Sequence, residues 1–456
     1  MADFLQKTDT ILWGPYMLVL LLGTGIYLLI KMRFLPIRNL GYALKCLIKS
    51  EKNTDSEGEI SPIAALTTEL AATIGTGNIV GVATAMTLGG PGALLWLLIS
   101  AFIGFSTKLA ESLLSVKYRT KNINGMTVGG PMYTLRAAFP NKKAGAVLGT
   151  LFALFAVLAS FGMGNMAQSN SITSALYEAF SIPAHKTGIV ISVLVILVIL
   201  GGIKSISKFS LYMVPVMALF YIIGSFAVIL VNIDGLAAGI KEIVTMAFSP
   251  RAAAGGIGGA IIVSMQDAMR YGISRGVFSN EAGLGAGGIS AAAADTDSPV
   301  RQGYISMTGI FFDTIIICTL TGLTIISSGV LGRCDEEGLP VTGAALTIAA
   351  FSTVFGDMGA YFVSIGITLF AFATIIAWEY QGERAFEYLV RSPKLCSAYR
   401  FAYTLATFAG AVCTLQTVWC FSDIMNALMA VPNLICILAL SGEACRDILE
   451  YEKKKR

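Results

Sequence analysis

Two short stretches carry most of the residues that could bind an ion or a small charged molecule. The first, TIGTGNIVG at residues 73–81, places three glycines and Asn78 inside an apolar run of helical length. The second, QDAMRYGISRGVFSNEAGLGAGG at residues 266–288, holds four charged residues among six glycines. Glycine weakens a helix by about 1 kcal/mol relative to alanine. We therefore predict that both helices unwind here, exposing N–H groups to an anion and carbonyls to a cation.

Close helix packing is the alternative explanation for these glycines. Gly77 and Gly81 form a small-xxx-small pattern, which commonly brings membrane helices together. The polar Asn78 beside them, and a second polar break later in the chain, favour a binding site instead.

The composition indicates an all-α polytopic membrane protein. Of the 456 residues, 55% are hydrophobic and only 13% are charged. A hydrocarbon core needs roughly 20 apolar residues per helix, and the sequence predicts about eleven such spans. They lie near residues 12–30, 63–88, 91–116, 145–178, 187–203, 209–231, 256–286, 303–328, 359–383, 400–418 and 423–441. We interpret the Gly-interrupted run at 340–356 as a re-entrant or surface helical loop.

Positive charge in the loops predicts the orientation of the chain. With the N-terminus outside and the C-terminus in the cytoplasm, 24 of the 32 basic residues fall on the inner side and five on the outer side. The eight cysteines are scattered without a CxxC pair, which argues against a metal site or a disulfide framework. The sequence therefore predicts a multi-pass protein embedded in the lipid bilayer of the cell membrane. It predicts no nucleic-acid partner.

The two broken stretches occupy corresponding positions in two blocks of five helices. Such a pair is typical of an inverted-repeat transporter, whose site lies near the bilayer midplane. We predict one extra N-terminal helix followed by a five-plus-five inverted repeat in which the first helix of each repeat is broken. The predicted units are an N-terminal helix with a basic segment (1–61), a first repeat (62–231), an extracellular connector (232–255), a second repeat (256–441) and a basic tail (442–456).

Several polar side chains within the spans are candidates for this site. Asn78 could bind a carboxylate or cap the second half-helix, and Gln168 could contact a substrate or a neighbouring helix. Asp267 could hold an ammonium group or balance Arg270, three residues later on the same helical face.

Further candidates lie nearer the cytoplasmic side of the predicted spans. Glu281 could line the site or belong to an inner gate, with Arg275 as its partner. Lys108 and Glu111, spaced i and i+3, predict a structural ion pair.

Motifs along most of the chain resemble those of the alanine or glycine:cation symporters, also called the sodium:alanine symporter family. They are GTGNIVGVATA (75–85), GGPGALLWLLISAFIG (89–104), TKLAESLLSVKYR (107–119), GGPMYTL (129–135), GNMAQSNSI (164–172), RGVFSNEAGLG (275–285) and WEYQGERAFEYL (378–389). The chain departs from the family pattern at Leu95–Leu98, where aromatic residues are usual. It departs again after Glu281, where relatives often carry Ser-Ala-Pro.

The resemblance implies cation-coupled symport of a small neutral amino acid such as alanine or glycine. Na⁺ is the expected coupling ion, with H⁺ coupling or a preference for glutamine as alternatives, and no organic cofactor is implied. Together with the breaks and polar side chains described above, the predicted substrate-binding residues are Gly75, Thr76, Gly77, Asn78, Gln168, Asp267, Thr374 and Trp378. The predicted gate or structural motif comprises Arg275, Ser279, Asn280, Glu281 and Gly283. Because hard cations prefer oxygen, Na⁺ is expected near Gly75, Thr368 and Thr374.

Two other classes of protein were weighed against a carrier. A membrane-embedded enzyme would need a nucleophile–base pair or a metal motif, and the sequence contains no HExxH and no GxSxG. An ion channel would need a continuous polar pore and usually oligomeric symmetry, whereas this one chain contains its own predicted repeat. The sequence predicts no oligomeric state.

Overall fold

The computed structural model describes residues 2–48, 58–249, 252–256, 259–413 and 415–455, and most of these are helical. Helices in the first half are α1 Ala2–Leu12, α2 Pro15–Lys31, α3 Leu35–Arg38, α4 Leu40–Ile48, α5 Pro62–Thr73, α6 Val82–Gly89, α7 Gly92–Lys117, α8 Pro131–Ala138, α9 Lys142–Phe161, α10 Ala167–Phe180, α11 Ala184–Ile199 and α12 Gly202–Val231. A short antiparallel pair, β1 Thr120–Lys121 and β2 Thr127–Val128, connects α7 to α8.

The second half continues with helices of similar length. They are α13 Ile233–Ala247, α14 Met265–Asn280, α15 Ala286–Ala292, α16 Pro299–Ile310, α17 Thr319–Ser327, α18 Gly343–Phe355, α19 Met358–Val390, α20 Pro393–Val412, α21 Leu415–Ala439 and α22 Ser441–Lys455. Three π-helical segments interrupt the regular helices, at Gly77–Gly81, Gly162–Met166 and Phe311–Cys318. π-Helical segments are rare in proteins, and those that occur often lie at functional sites.

Within the described residues, seven helical segments are long and apolar enough to cross a membrane, and a bent pair makes an eighth. The seven are Phe4–Lys31, Gly92–Lys117, Lys142–Phe180, Gly202–Val231, Pro299–Ser327, Met358–Val390 and Trp419–Ala439, and the bent pair is Pro62–Thr73 with Gly77–Gly89. The other three predicted spans fall on the 16-residue α11, on the broken pair α14 and α15, and on α20. The protein is thus an all-α polytopic membrane protein.

Two helices organise the interior. Helix α7 packs against α14 and α16, and α19 packs against α5, α9 and α10. By contrast, α11 and α12 leave large apolar side chains exposed, among them Leu197, Val216 and Ile223. A soluble protein rarely exposes so large an apolar surface, whereas hydrocarbon tails would cover it.

One predicted boundary is wrong. The seventh span was predicted to begin at residue 256, but β3 Ala252–Gly256 and β4 Gly259–Val263 form an antiparallel hairpin there. Glycines at 255, 256, 258 and 259 disfavour a helix, and α14 begins only at Met265. The predicted helical loop at 340–356 is confirmed as α18, which packs against α19 and the first broken helix.

The predicted orientation is testable with a membrane-impermeant maleimide on intact cells. Cys334 is exposed in the predicted outer loop and should react from outside. Cys445 lies in the predicted inner tail but is only 3% exposed, so an added cysteine at the exposed Lys454 is the better inner reporter. Lys454→Cys should gain label only after permeabilisation. Labelling of this variant on intact cells, beyond the wild-type level, would contradict the predicted topology.

Candidate functional site

The first predicted break lies between α5 and α6. Helix α5 ends at Thr73, the chain turns by 52°, and the helix resumes with the π-helical turn at Gly77–Gly81. Asn78 Oδ1 accepts a hydrogen bond from the Gly75 N–H at 2.9 Å. The Asn78 side chain thereby supplies a partner to a backbone group that the break frees from the helix.

Gln168 reaches the same break from a neighbouring helix. It follows the π-helical turn at Gly162–Met166 that separates α9 from α10. Its Oε1 accepts a hydrogen bond from the Thr76 N–H at 3.2 Å, and its Nε2 donates to the Met163 carbonyl at 3.1 Å. The structure therefore brings Gln168 and Asn78 to one unwound segment.

Helix α19 contacts both breaks. Thr374 Oγ1 donates to the Ala71 carbonyl at 3.1 Å and lies 3.4 Å from the Ile74 carbonyl. One turn later, the fully buried Trp378 donates from Nε1 to Glu281 Oε1 at 2.9 Å. Thr374 and Trp378 therefore link the first broken helix to the second through one rigid element.

Glycine is required where these helices approach each other most closely. A Cβ at Gly164 would lie 2.4 Å from the Trp378 Cβ, and a Cβ at Gly75 would lie 2.6 Å from Thr374 Oγ1. Neither position has room for a side chain. The first break, Gln168 and Trp378 are therefore closely packed against one another.

The second break comprises the five residues between α14 and α15. Glu281, Gly283 and Gly285 have φ values of +57°, +90° and +92°. This region is accessible to glycine but disfavoured for side chains such as that of Glu281. The preceding Asn280 Nδ2 donates to Thr314 Oγ1 at 3.1 Å. The break therefore turns the chain sharply and faces the Phe311–Cys318 segment.

Asp313, which was not among the predicted site residues, joins the two breaks. Its Oδ1 accepts a hydrogen bond from Asn78 Nδ2 at 2.7 Å, and its Oδ2 accepts from Ser279 Oγ at 2.9 Å and Thr314 Oγ1 at 2.7 Å. Asp313 is fully buried, and it forms none of the ion pairs found among the described residues. A signal existed in the sequence: this is the only carboxylate in the predicted span 303–328, and ionisable residues inside spans usually have functions.

Two predicted residues lie elsewhere. Asp267 caps the start of α14, where its Oδ2 accepts hydrogen bonds from Ser264 N at 3.1 Å and Ser264 Oγ at 2.6 Å. It forms a capping box there, and it does not form the predicted ion pair with Arg270. Thr368 donates to the Ser364 carbonyl of its own helix at 2.7 Å, so only Gly75 and Thr374 of the predicted Na⁺ group come together.

Arg275 pairs with Asp423 rather than with Glu281, so the predicted Arg275–Glu281 pair is wrong. The Nη2–Oδ2 distance is 3.0 Å, and the guanidinium lies 5.4 Å from the Phe278 ring centroid and 5.8 Å from that of Trp419. Both Arg275 and Asp423 line a cavity of about 640 Å³ that α1 and the start of α18 also border.

Neither Asn78, Gln168 nor Trp378 lines this cavity, and each is at most 1% exposed. The centre is therefore closed to solvent in this conformation.

Two broken helices that face one buried polar centre are typical of secondary transporters. The crystal structure of MhsT in complex with L-phenylalanine has the same overall fold, with a TM-score of 0.59. The match covers 87% of this chain and 98% of that chain at 14% sequence identity.

The family follows from sequence comparison. The model of the sodium:alanine symporter family matches residues 1–456, and the chain belongs to this family. The sodium/alanine symporter AgcS of Methanococcus maripaludis is 46% identical over 457 residues, which cover 100% of this chain and 98% of AgcS. A probable sodium/glutamine symporter of Bacillus subtilis, GlnT, is 36% identical over 452 residues, with coverages of 98% and 90%.

We predict that Asn78→Ala destabilises the first break and weakens substrate binding. The substitution leaves the Gly75 N–H without its acceptor and removes a donor from Asp313. An unsatisfied buried polar group costs about 1–3 kcal/mol, so thermal unfolding and ligand titration of the purified protein should both register the loss. Thr84→Ala is the control, because the Thr84 hydroxyl donates to the Val80 carbonyl of its own helix. Equal stability and affinity in the two variants would contradict this role of Asn78.

Proposed function

We propose that this protein is a secondary active transporter that uses Na⁺ to import a small neutral amino acid, alanine or glycine, by alternating access. The observation that carries the proposal is the buried Asp313 carboxylate, which accepts hydrogen bonds from Asn78 of the first break and Ser279 of the second. A buried charge of this kind is stable only when it is paired with a cation or neutralised. A bound cation at Asp313 would therefore favour the arrangement that holds both breaks together.

The unwound segments offer the groups that a zwitterion needs. Backbone N–H groups at Thr76 and Gly77 begin the second half of the first broken helix, where a carboxylate is favoured. Gln168 Oε1, which accepts from the Thr76 N–H, is an acceptor within reach of an ammonium group. Trp378 and the close approach at Gly164 limit the size of the substrate side chain, which supports alanine and glycine over bulkier amino acids.

Oxygen atoms at Asp313 are the best candidates for holding the coupling ion. The Asp313 carboxylate and the Thr314 hydroxyl lie 2.7 Å apart, and hard cations prefer such ligands. The predicted group at Gly75 and Thr374 is a second candidate, because the Thr374 hydroxyl faces unwound carbonyls. Net positive charge that moves inward gains about 2.3 kcal/mol per 100 mV, which suffices to concentrate a neutral solute. An inward electrochemical gradient of Na⁺ would make this movement an import.

Uptake into proteoliposomes tests the substrate and the coupling ion together. We expect an imposed Na⁺ gradient to drive saturable accumulation of labelled alanine, with glycine competing well and glutamine poorly. Replacement of Na⁺ by choline should abolish accumulation. Undiminished uptake in choline that collapses with the pH gradient would instead support H⁺ coupling. Stronger competition by glutamine would support the glutamine alternative, and non-saturating current would support a channel.

We predict that Asp313→Asn weakens the binding of Na⁺. The amide keeps the size and some hydrogen bonds of the carboxylate but lacks its charge. The Na⁺ concentration that gives half-maximal substrate binding should rise at least about tenfold, a loss of about 1.4 kcal/mol. Asp267→Asn is the matched control, since this carboxylate caps a helix instead of meeting the breaks. An unchanged Na⁺ dependence in Asp313→Asn would move the ion site to Gly75 and Thr374.

A further inference from the structure

A second group of buried charges lies between α5, α7 and the second break. We call it the Lys108 cluster, and it consists of Glu69, Lys108, Glu111 and Glu281. Each of the four residues is at most 2% exposed. Three carboxylates and one ammonium give a formal charge of −2 when all four are ionised. Uncompensated charge inside a membrane protein is costly, so the cluster requires a further positive charge.

Lys108 does not form the predicted pair with Glu111. Its Nζ lies 3.8 Å from Glu69 Oε2, an ion pair too long for a hydrogen bond, and Ser306 Oγ donates to the other Glu69 oxygen at 2.7 Å. Among the described residues, neither Lys108 Nζ nor Glu69 Oε2 has a hydrogen-bond partner. The Lys108 ammonium is therefore held by charge attraction to Glu69, and its N–H donors make no hydrogen bond to the described residues.

Glu111 is held by a side chain of α21. Asn433 Nδ2 donates to Glu111 Oε2 at 3.1 Å and to the Gly283 carbonyl at 2.9 Å. Among the described residues, Glu111 Oε1 has no hydrogen-bond partner. Glu111 lies outside the last turn of α7, so the partial negative charge of that helix end acts on it little.

Glu281 has the least support for a negative charge. Trp378 Nε1 donates to its Oε1, and Oε2 has no partner among the residues described. Glu281 is also the residue at which α14 ends, and the partial negative charge of a helix C-terminus disfavours an anion.

The charged and titratable groups that face Glu281 are Lys108 and Glu111 on α7 and Asp313 on the π-helical segment, with Glu69 on α5 beyond Lys108. The side chains that α19 and α21 contribute to the Lys108 cluster are uncharged: Trp378 donates to Glu281, and Asn433 donates to Glu111.

We propose that Glu281 is a proton-binding site, occupied in this closed conformation, and that it is distinct from the Na⁺ site at Asp313. One proton from solution forms an O–H bond at Glu281 Oε2, and the charge of the Lys108 cluster falls from −2 to −1. Glu69 and Glu111 then share Lys108 as their counter-charge, and Glu111 also accepts the hydrogen bond from Asn433. This inference goes beyond the proposed symport and can be tested on the purified protein without a transport measurement.

A proton fits this cluster better than a second metal ion. Among the described residues, no group of three or more His, Cys, Asp or Glu side chains could hold a metal ion. The Lys108 ammonium would also repel a metal cation placed beside it, whereas a proton neutralises Glu281 directly. The Cβ position of Gly287 lies 2.1 Å from Lys108 Nζ, so α15 leaves little room for a hydrated ion there.

The proton has a structural consequence at the substrate pocket. Deprotonation would return the charge to −2 and set Glu281 against Glu111 and Glu69, which would favour separation of α5 and the second break. It would also strengthen the hydrogen bond from Trp378, because a charged acceptor binds a donor more tightly. Protonation therefore favours the closed conformation. It also links the solution pH to Trp378, the proposed wall of the substrate pocket.

Infrared difference spectroscopy of the purified full chain tests for this proton directly. The wild type should show the carbonyl stretch of a protonated carboxylic acid at neutral pH, which is lost as the pH becomes alkaline. Glu281→Gln should lack this component, while Glu337→Gln, which removes an exposed carboxylate, should retain all of it. Trp378→Phe removes the donor that favours the anion, so the component should persist to higher pH. This second variant preserves the test where Glu281→Gln fails to fold.

Three results would overturn the proposal. They are a wild-type spectrum without a pH-dependent carboxylic-acid component, a component that survives unchanged in Glu281→Gln, and an unshifted titration in Trp378→Phe. A response to Na⁺ would also contradict the proposal. If adding Na⁺ at constant pH abolished the component in the wild type and also in Asp313→Asn, the metal ion would bind in the Lys108 cluster. The measurement needs no transport, so failure of alanine uptake would refute the proposed function while leaving this result intact.

Discussion

The structure depends on one constraint: backbone N–H and carbonyl groups released from a helix in hydrocarbon must find partners within the protein. The first broken helix meets this requirement with side chains that lie nearby in space but far apart in sequence. Asn78 accepts from Gly75, Gln168 accepts from Thr76, and Thr374 donates to carbonyls at the end of α5. These groups are also those that the proposed function assigns to a zwitterion. Under that proposal, the same polar atoms would exchange an internal partner for a substrate without exposing the backbone.

Buried charge imposes a second constraint on the same centre. Glu281 begins the second break and Asp313 lies in the π-helical segment that faces it, and each carboxylate lacks a cation within ion-pair distance among the described residues. Each accepts hydrogen bonds from elements that meet at the centre, and such bonds orient a carboxylate but leave its charge uncompensated. A coupling ion at Asp313 and a proton at Glu281 would each stabilise the packing of the two broken helices against α19.

Local sequence patterns predicted those parts of the fold that depend on hydrophobicity and glycine content along a short stretch of chain. The apolar runs fall on helices, the run at 340–356 is a short helix between spans, and glycines mark both breaks. Gln168 was selected as a long polar side chain within a predicted span and Trp378 through the family resemblance, and both contact the centre. The start of the seventh span failed because an apolar composition does not distinguish a helix from a glycine-rich hairpin.

Partnerships between distant residues were decided only by tertiary packing. Asn78 and Asp313 are 235 residues apart, and Arg275 and Asp423 are 148 apart. Sequence spacing suggested nearer partners, Glu281 for Arg275 and Glu111 for Lys108, because a helical face is the only neighbourhood that spacing reveals. The sequence by itself determined where the helices lie, where they break and that the chain needs a membrane, since hydrophobicity and glycine content act locally. Which carboxylates meet which donors was decided by how the helices cross, because a buried charge selects its partners in space and not along the chain.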